Sequence, residues 1–336
     1  MYKHNVETLN SYQSLQKFFQ EAESEEFNSN IPENKTAICE YWWEFIREMS
    51  FLHRSHSSLK SIREHLRALM RHSDIHTIDQ ATTANIKAYL QNRQQERNWD
   101  PNTYNTSISK LSSYFKYLVE EGHIKENPLR NIRKMRRTKK NHLTMTEEQF
   151  NQLLGYIVKQ KSGLVALRDK VFFLVLGLTG VRRSEALRIE ISDLNFVNDT
   201  MKIHGVKGSK PRMLRIPEGL RSSMKEYLSY RKEINRLDEP YLFISATTKG
   251  NPWTESGVRK TMNRLSQKLG FPIQSHAFRR YVATSLAEQG KPIEKIMQYL
   301  GHTSIRTTLI YINSCSSKLL DSCMDSMEQR IKGLDL

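Results

Sequence analysis

The sequence predicts a mainly α-helical chain with one small β-sheet or hairpin, arranged as two domains. Three observations carry this. The 336 residues exceed the roughly 100–200 that one domain usually holds. Apolar residues recur at three- and four-residue spacing through both halves, which is the period of an amphipathic helix. One stretch, MKIHGVKGSKPRMLRIP (201–217), breaks that period with two short alternating runs about Gly208-Ser209, the pattern of a hairpin.

In order along the chain, residues 1–35 form a polar leader, with Glu21, Glu23, Glu25 and Glu26 close together and Pro32 near its end. This composition suits a mobile segment with at most one short helix. Residues 36–126 read as a helical domain of four helices. AICEYWWEFIREM and TANIKAYLQNR supply two of them. Leu59, Ile62, Leu66, Leu69 and Met70 mark another, and Tyr104, Ile108, Leu111, Phe115 and Leu118 a fourth. Asp100-Pro101 starts this last helix with a capping side chain and a proline at its first position, and Gly122 stops it.

Residues 127–143 read as a basic linker. Asn127-Pro128 ends the helical domain, and seven basic residues follow: Arg130, Arg133, Lys134, Arg136, Arg137, Lys139 and Lys140. Such a run is either a solvated tether or a strap across a phosphate backbone, where each neutralised phosphate releases counterions. Thr144 or Thr146, followed by glutamates, opens a second domain, 144–336. There VFFLVLGL (171–178) is a buried run, followed by the turn TGVRRSEAL, the hairpin, and helices over 217–232, 254–269 and 276–289. Ile293, Ile296, Met297 and Leu300 form one more amphipathic face, and Leu319, Leu320, Met324, Met327 and Ile331 suit a C-terminal helix that docks in cis or on a neighbouring copy.

Charge narrows the function. Lysine and arginine total 52 against 36 acids, a net +16, and the pI of about 9.7 points to a nucleic-acid partner. Cys39, Cys315 and Cys323 are scattered, with no C-x-x-C pair, which argues against structural zinc and a disulfide framework and suits a reducing cytoplasm. No metal and no cofactor are expected. The N-terminus lacks the apolar core of a signal peptide, and no run approaches a membrane span.

The second half collects the chemistry of an anion: Arg182, Lys207 with Lys210 nearby, His276, Arg279, His302 and Tyr311. Guanidinium forks match phosphate oxygens and stay charged. His276 and Arg279, three apart on a helix, share a face. A tyrosine hydroxyl can form a covalent phosphotyrosine, and a lysine can protonate a leaving oxygen. Taken singly, each has a plainer reading: a surface cation, a packing histidine, a half-buried tyrosine.

The set, in this order, resembles the tyrosine recombinases, also called the phage-integrase family, over roughly residues 36–325. TGVRRSEAL is similar to that family's first arginine motif and VKGSKPRMLRIP to its hairpin. HAFRRYVATSL matches its H-x-x-R motif, and LGHTSIRTTLIY its final histidine and tyrosine. Arg280 departs from the histidine that many relatives carry there. The resemblance implies an N-terminal helical core-binding domain and a C-terminal α+β catalytic domain. It makes Tyr311 the nucleophile, Arg182, Lys207, His276, Arg279 and His302 its catalytic partners, and Lys207 the better lysine candidate than Lys210. It further implies double-stranded DNA with specific core sites as substrate, a homotetramer on synapsed DNA, and a directionality factor or partner recombinase as a possible accessory. The setting would be cytoplasmic, at the nucleoid, with neither metal nor ATP consumed. Two other readings stay open at this point: a type IB topoisomerase-like relaxation activity, and a catalytically silent DNA-binding accessory protein.

Overall fold

A computed structural model describes residues 35–52, 54–137, 144–161, 163–206, 209–305 and 308–309. The chain divides into two compact units, Met1–Lys140 and Asn141–Leu336.

The first unit contains α1 (Trp42–Phe51), α2 (His56–Arg71), α3 (Thr83–Glu96) and α4 (Pro101–Glu120). The starts follow from local chemistry. Ser55, Thr82 and Asp100 each accept a hydrogen bond from a backbone N–H of the first turn, satisfying a donor that the helix itself leaves free. The apolar stripes meet in one core, in which Phe45, Leu59, Leu69, Ile86, Leu90, Leu111, Phe115 and Leu118 are buried; burying each such side chain contributes roughly 1.5–3 kcal/mol. Tyr114, wholly buried, sets its ring edge-on to Phe45 at 5.4 Å between centroids and donates its hydroxyl to Ile38 O at 2.8 Å. Burial pushes that phenol's pKa well above the ordinary range.

The helical unit does not stop at residue 126. Leu129 and Ile132 are buried in its core, Thr83 Oγ1 donates to Pro128 O at 2.9 Å, and Asn127 donates to Ser112 Oγ at 2.9 Å. Asn105 then clamps Met135 as a strand partner would, its Nδ2 donating to Met135 O and its Oδ1 accepting from Met135 N, both at 2.8 Å. The first part of the basic segment is therefore docked backbone and not a free tether, with Arg130, Arg133, Lys134, Arg136 and Arg137 exposed. Lys139 and Lys140 lie outside the described residues.

The second unit contains α5 (Glu147–Val158), α6 (Leu164–Thr179), the short α7 (Arg183–Ala186), β1 (Leu194–Asn195), β2 (Thr200–Ile203), β3 (Arg212–Arg215), α8 (Glu218–Glu233), α9 (Glu255–Leu269), α10 (Ser275–Glu288) and α11 (Ile293–Leu300). Thr146 caps α5, with Gln149 completing a reciprocal capping box. The apolar run becomes α6, which is buried on nearly all sides and packs against α5, α8 and α10. A helix apolar all round belongs at the centre.

The sheet is antiparallel in the order β1-β2-β3. Met201 pairs with Leu214 and Ile203 with Arg212. Met201, Ile203 and Leu214 point into the core while Lys202 and Met213 face solvent, the alternation expected of a sheet covered on one face. The hairpin is more open than a two-residue turn: residues 204–211 connect the strands. The third strand, two residues long, is an addition to the sequence reading.

Arg231, in the last turn of α8, is wholly buried. All five of its N–H groups are spent on backbone carbonyls: Nε on Arg236 O, Nη1 on Tyr241 O and Leu242 O, Nη2 on Arg236 O and Glu239 O. One guanidinium thus organises the irregular stretch 236–242. Among the described residues no helix is long and apolar enough to cross a membrane.

Candidate active site

Four of the six residues singled out from sequence lie within the described part of the second unit: Arg182, His276, Arg279 and His302. Lys207 and Tyr311 lie outside the described residues. Lys210 is described and exposed.

Arg279 comes from the first turns of α10 and is 1% exposed. Its guanidinium is held by two helix ends and a histidine. Nη1 donates to Gly180 O at 2.7 Å, Nη2 to Leu300 O at 2.6 Å, and Nε to His302 Nε2 at 3.1 Å. Gly180 and Gly301 end α6 and α11 in the left-handed conformation, at φ 61° and 68°, which an L side chain adopts only at a cost of roughly 1–2 kcal/mol. Both caps bring C-terminal carbonyls, carrying the negative end of the helix dipole, to one buried cation.

His302 is 6% exposed. Arg279 Nε can only donate, so His302 Nε2 must accept, and the ring proton then sits on Nδ1, which donates to Thr308 Oγ1 at 2.7 Å. Burial first, and then the fields of Arg279, Arg182 and Arg212, lower the imidazole pKa to about 3. His302 is therefore neutral across the physiological range.

Arg182 precedes α7 and is the more open of the two arginines, its side chain 27% exposed. It is held by Glu185, which is wholly buried. The two Glu185 oxygens are shared evenly. Oε1 accepts from Arg182 Nη1 at 2.9 Å and from Ser209 Oγ at 2.9 Å; Oε2 accepts from Arg182 N at 3.0 Å and from Arg212 Nη2 at 3.1 Å. Burial opposes ionisation of this carboxyl, but the Arg182 backbone N–H and the Arg212 and Arg182 guanidiniums outweigh it and hold the pKa below the ordinary carboxylate value.

His276 sits at the start of α10 and is exposed at the surface. The protein around its ring still removes enough water to lower its pKa, and the charges of Arg280, Arg279, Arg182 and Arg183 lower it further. The imidazole is thus a neutral base among four permanent cations. Arg183 is itself paired, donating to Glu255 at 2.7 Å.

The sequence reading missed Glu185, Ser209, Arg212 and Thr308. Glu185 had a signal: it stands three residues after Arg182, the spacing of a helix-start pair. The other three reach the site only through the fold.

The sequence profile of the phage integrase family matches residues 144–318, just over half the chain, and the profile of the phage integrase N-terminal SAM-like domain matches residues 43–124. The chain belongs to the phage integrase family. Its relatives include the tyrosine recombinase XerA of Pyrococcus furiosus, 32% identical over 221 residues, covering 65% of this chain and 72% of that protein. They also include XerC of Bacillus subtilis, 26% identical over 273 residues, covering 80% and 88%. Among solved structures, the Tn1549 transposon integrase in complex with a circular intermediate DNA superposes with a TM-score of 0.66 at 20% identity, over 85% of this chain and 99% of that one. A lambda integrase dimer bound to a core site gives 0.65 at 19% identity, over 83% and 78%. At these identities the superpositions establish that this phage integrase shares their fold.

Proposed function

We propose that the protein is a site-specific tyrosine recombinase that breaks and rejoins DNA strands through a 3′-phosphotyrosyl intermediate. The observation that carries this reading is the fixed pairing of Arg182 with Glu185 and of Arg279 with His302 in one unit, with burial and the charges of Arg280, Arg279, Arg182 and Arg183 lowering the pKa of His276. A phosphodiester needs positive charge at its nonbridging oxygens as the extra negative charge of the five-coordinate state develops, and an attacking phenol needs a nearby base that is not already protonated.

In this mechanism the Tyr311 hydroxyl attacks phosphorus and gives up its proton toward His276. The Tyr311 O–P bond forms as the P–O5′ bond breaks, and the leaving O5′ takes a proton from the Lys207 ammonium. Arg182 meets the nonbridging oxygens from the surface. Arg279 adds its charge from below, and its bond to His302 fixes both side chains. The free 5′-hydroxyl of a partner duplex then attacks the phosphotyrosine, so the bond energy is conserved and no nucleotide is hydrolysed. The exposed cations Arg130, Arg133, Lys134, Arg136 and Arg137, with Lys139 and Lys140, contact the phosphate backbone, and Lys210 contributes from the hairpin. Residues 36–126, with the docked segment that reaches Met135, form the core-binding domain and 144–336 the catalytic domain. Strand exchange takes place in a homotetramer on two core sites at the nucleoid.

The test is to isolate the protein under denaturing conditions from cells that carry its target and to sequence any DNA that stays attached, with Tyr311→Phe as control. Attached DNA that disappears in the variant supports the reading and yields the cleavage sequence. Attached DNA that persists overturns Tyr311 as nucleophile, and joining assays on two marked sites separate recombination from simple relaxation.

A further inference from the structure

Two side chains from the far end of the hairpin converge on the carboxylate that holds Arg182. Ser209 closes its own turn, accepting from Val206 N at 2.8 Å while its backbone N–H donates to Val206 O at 3.2 Å, and its single hydroxyl proton is shared between Val206 O at 2.8 Å and Glu185 Oε1 at 2.9 Å. Arg212, the first residue of β3, has a side chain only 10% exposed. It donates from Nη2 to Glu185 Oε2 at 3.1 Å and from Nε to Tyr299 O at 2.9 Å. Its Nη1 lies against Gly301, where an added Cβ would come within 2.6 Å of it. One guanidinium therefore ties the hairpin to α7 on one side and to the last turn of α11, just before His302, on the other.

Stability alone is a poor reason for this arrangement. A buried ion pair roughly offsets its own desolvation, and well-packed apolar side chains do as well or better. What the pair supplies is geometry. A guanidinium has a fixed planar fork, and here Nε and Nη2 bond to different elements, α11 and α7. The hairpin is joined to α7 and α11 by directional bonds, and the carboxylate that receives two of them is the one that orients Arg182.

We propose that Arg212, assisted by Ser209, is a positioning residue that holds Val206 and Ser209, the described residues on either side of Lys207 and Gly208, in register with Arg182, so that protonation of the leaving oxygen and stabilisation of the phosphate charge occur in one geometry. The proposal rests on the reading above in which Lys207 is the general acid, and uses only its place in the sequence between Val206 and Ser209. Each Glu185 oxygen accepts one bond from Arg182 and one from the hairpin, so the carboxylate couples the two.

The experiment uses the full-length protein and DNA bearing the cleavage sequence, in two forms: ordinary DNA, and DNA with sulfur in place of the 5′-bridging oxygen at the scissile phosphate. A thiolate leaves without needing a proton, so a defect confined to the acid step vanishes on the sulfur substrate. Arg212→Gln and Ser209→Ala should slow single-turnover cleavage of ordinary DNA by about tenfold or more, part of the ~10²–10⁴-fold that a positioned acid supplies, with DNA affinity unchanged. Both should cleave sulfur-substituted DNA at close to the parent rate, as should Lys207→Ala. If the two variants stay slow on the sulfur substrate while Lys207→Ala recovers, Arg212 acts elsewhere and the proposal falls. If Lys207→Ala itself stays slow there, the assignment of Lys207 falls first and takes the proposal with it. Ser209→Ala, which removes a single hydroxyl, keeps the test decisive if Arg212→Gln fails to fold.

Discussion

Arg279 Nε donates to His302 Nε2 across 3.1 Å, which makes the histidine the acceptor of a bond whose donor is a permanent cation. A proton on Nε2 would point two N–H groups at each other. This hydrogen bond joins the fourth and fifth of the six sequence-assigned residues in a single buried unit, and it fixes the tautomer of His302.

The first prediction follows from that bond. The unfolded imidazole titrates near 6.5 and the folded one near 3, so between these values the unfolded state binds the extra proton. Stability is fully present above pH 6.5 and falls as the pH drops toward 3, with a slope of up to ~1.4 kcal/mol per pH unit from this group. Urea unfolding from pH 7.5 to 5 on the parent and on His302→Gln should show the steeper loss in the parent. Equal slopes would mean that His302 titrates normally.

Gly301→Ala should be costly for two separate reasons. The backbone there has φ 68°, and the new methyl would press on Arg212 Nη1. We expect a loss of about 1–3 kcal/mol, read as a lower melting temperature, with slower DNA cleavage in the protein that remains folded. Gly122→Ala, at φ 76° with open space around the added methyl, is the control that carries the backbone cost alone.

Arg231→Met should destabilise the second unit by at least ~3 kcal/mol, because five hydrogen bonds to four backbone carbonyls, three of them buried, disappear together and each abandoned buried acceptor costs roughly 1–3 kcal/mol. Chemical denaturation measures this directly. A loss below about 1 kcal/mol, the low end of that range, would show that the 236–242 stretch holds its shape without the guanidinium.

Replacing Arg130, Arg133, Lys134 and Arg136 with glutamine should weaken DNA binding at all sequences alike. It should also flatten the dependence of log K on log salt, by about one unit of slope for each phosphate no longer neutralised. Titrations at several salt concentrations read both numbers, and an unchanged slope would leave these cations without a role on the backbone.

Much of this architecture was legible in the sequence because it obeys local rules. The stripe Tyr104, Ile108, Leu111, Phe115 and Leu118 is buried in full, and Asp100-Pro101 starts its helix as a cap should. Arg182, His276, Arg279 and His302 were legible as a set because they stand in compact motifs. What escaped was set by tertiary contact. Nothing local says that Asn105 will clamp Met135 thirty residues on, so the docking of the segment after residue 126 was not legible. Glu185 stood in a quoted motif, yet its sharing between Arg182, Ser209 and Arg212 depends on a hairpin folding back across α7. The strand β1 is too short for alternation to reveal it.

The even division of Glu185 has a consequence for how this protein can vary. Because Arg182, Ser209 and Arg212 share two oxygens, removing any one changes what the others are worth. Paired substitutions should be strongly non-additive, with coupling energies of about 0.5–3 kcal/mol of either sign. A replacement harmless at position 209 in one background can then be harmful in another that differs only at 212. Under mutation and selection these positions behave as one heritable character, and a lineage can leave the arrangement only by changing several of them together.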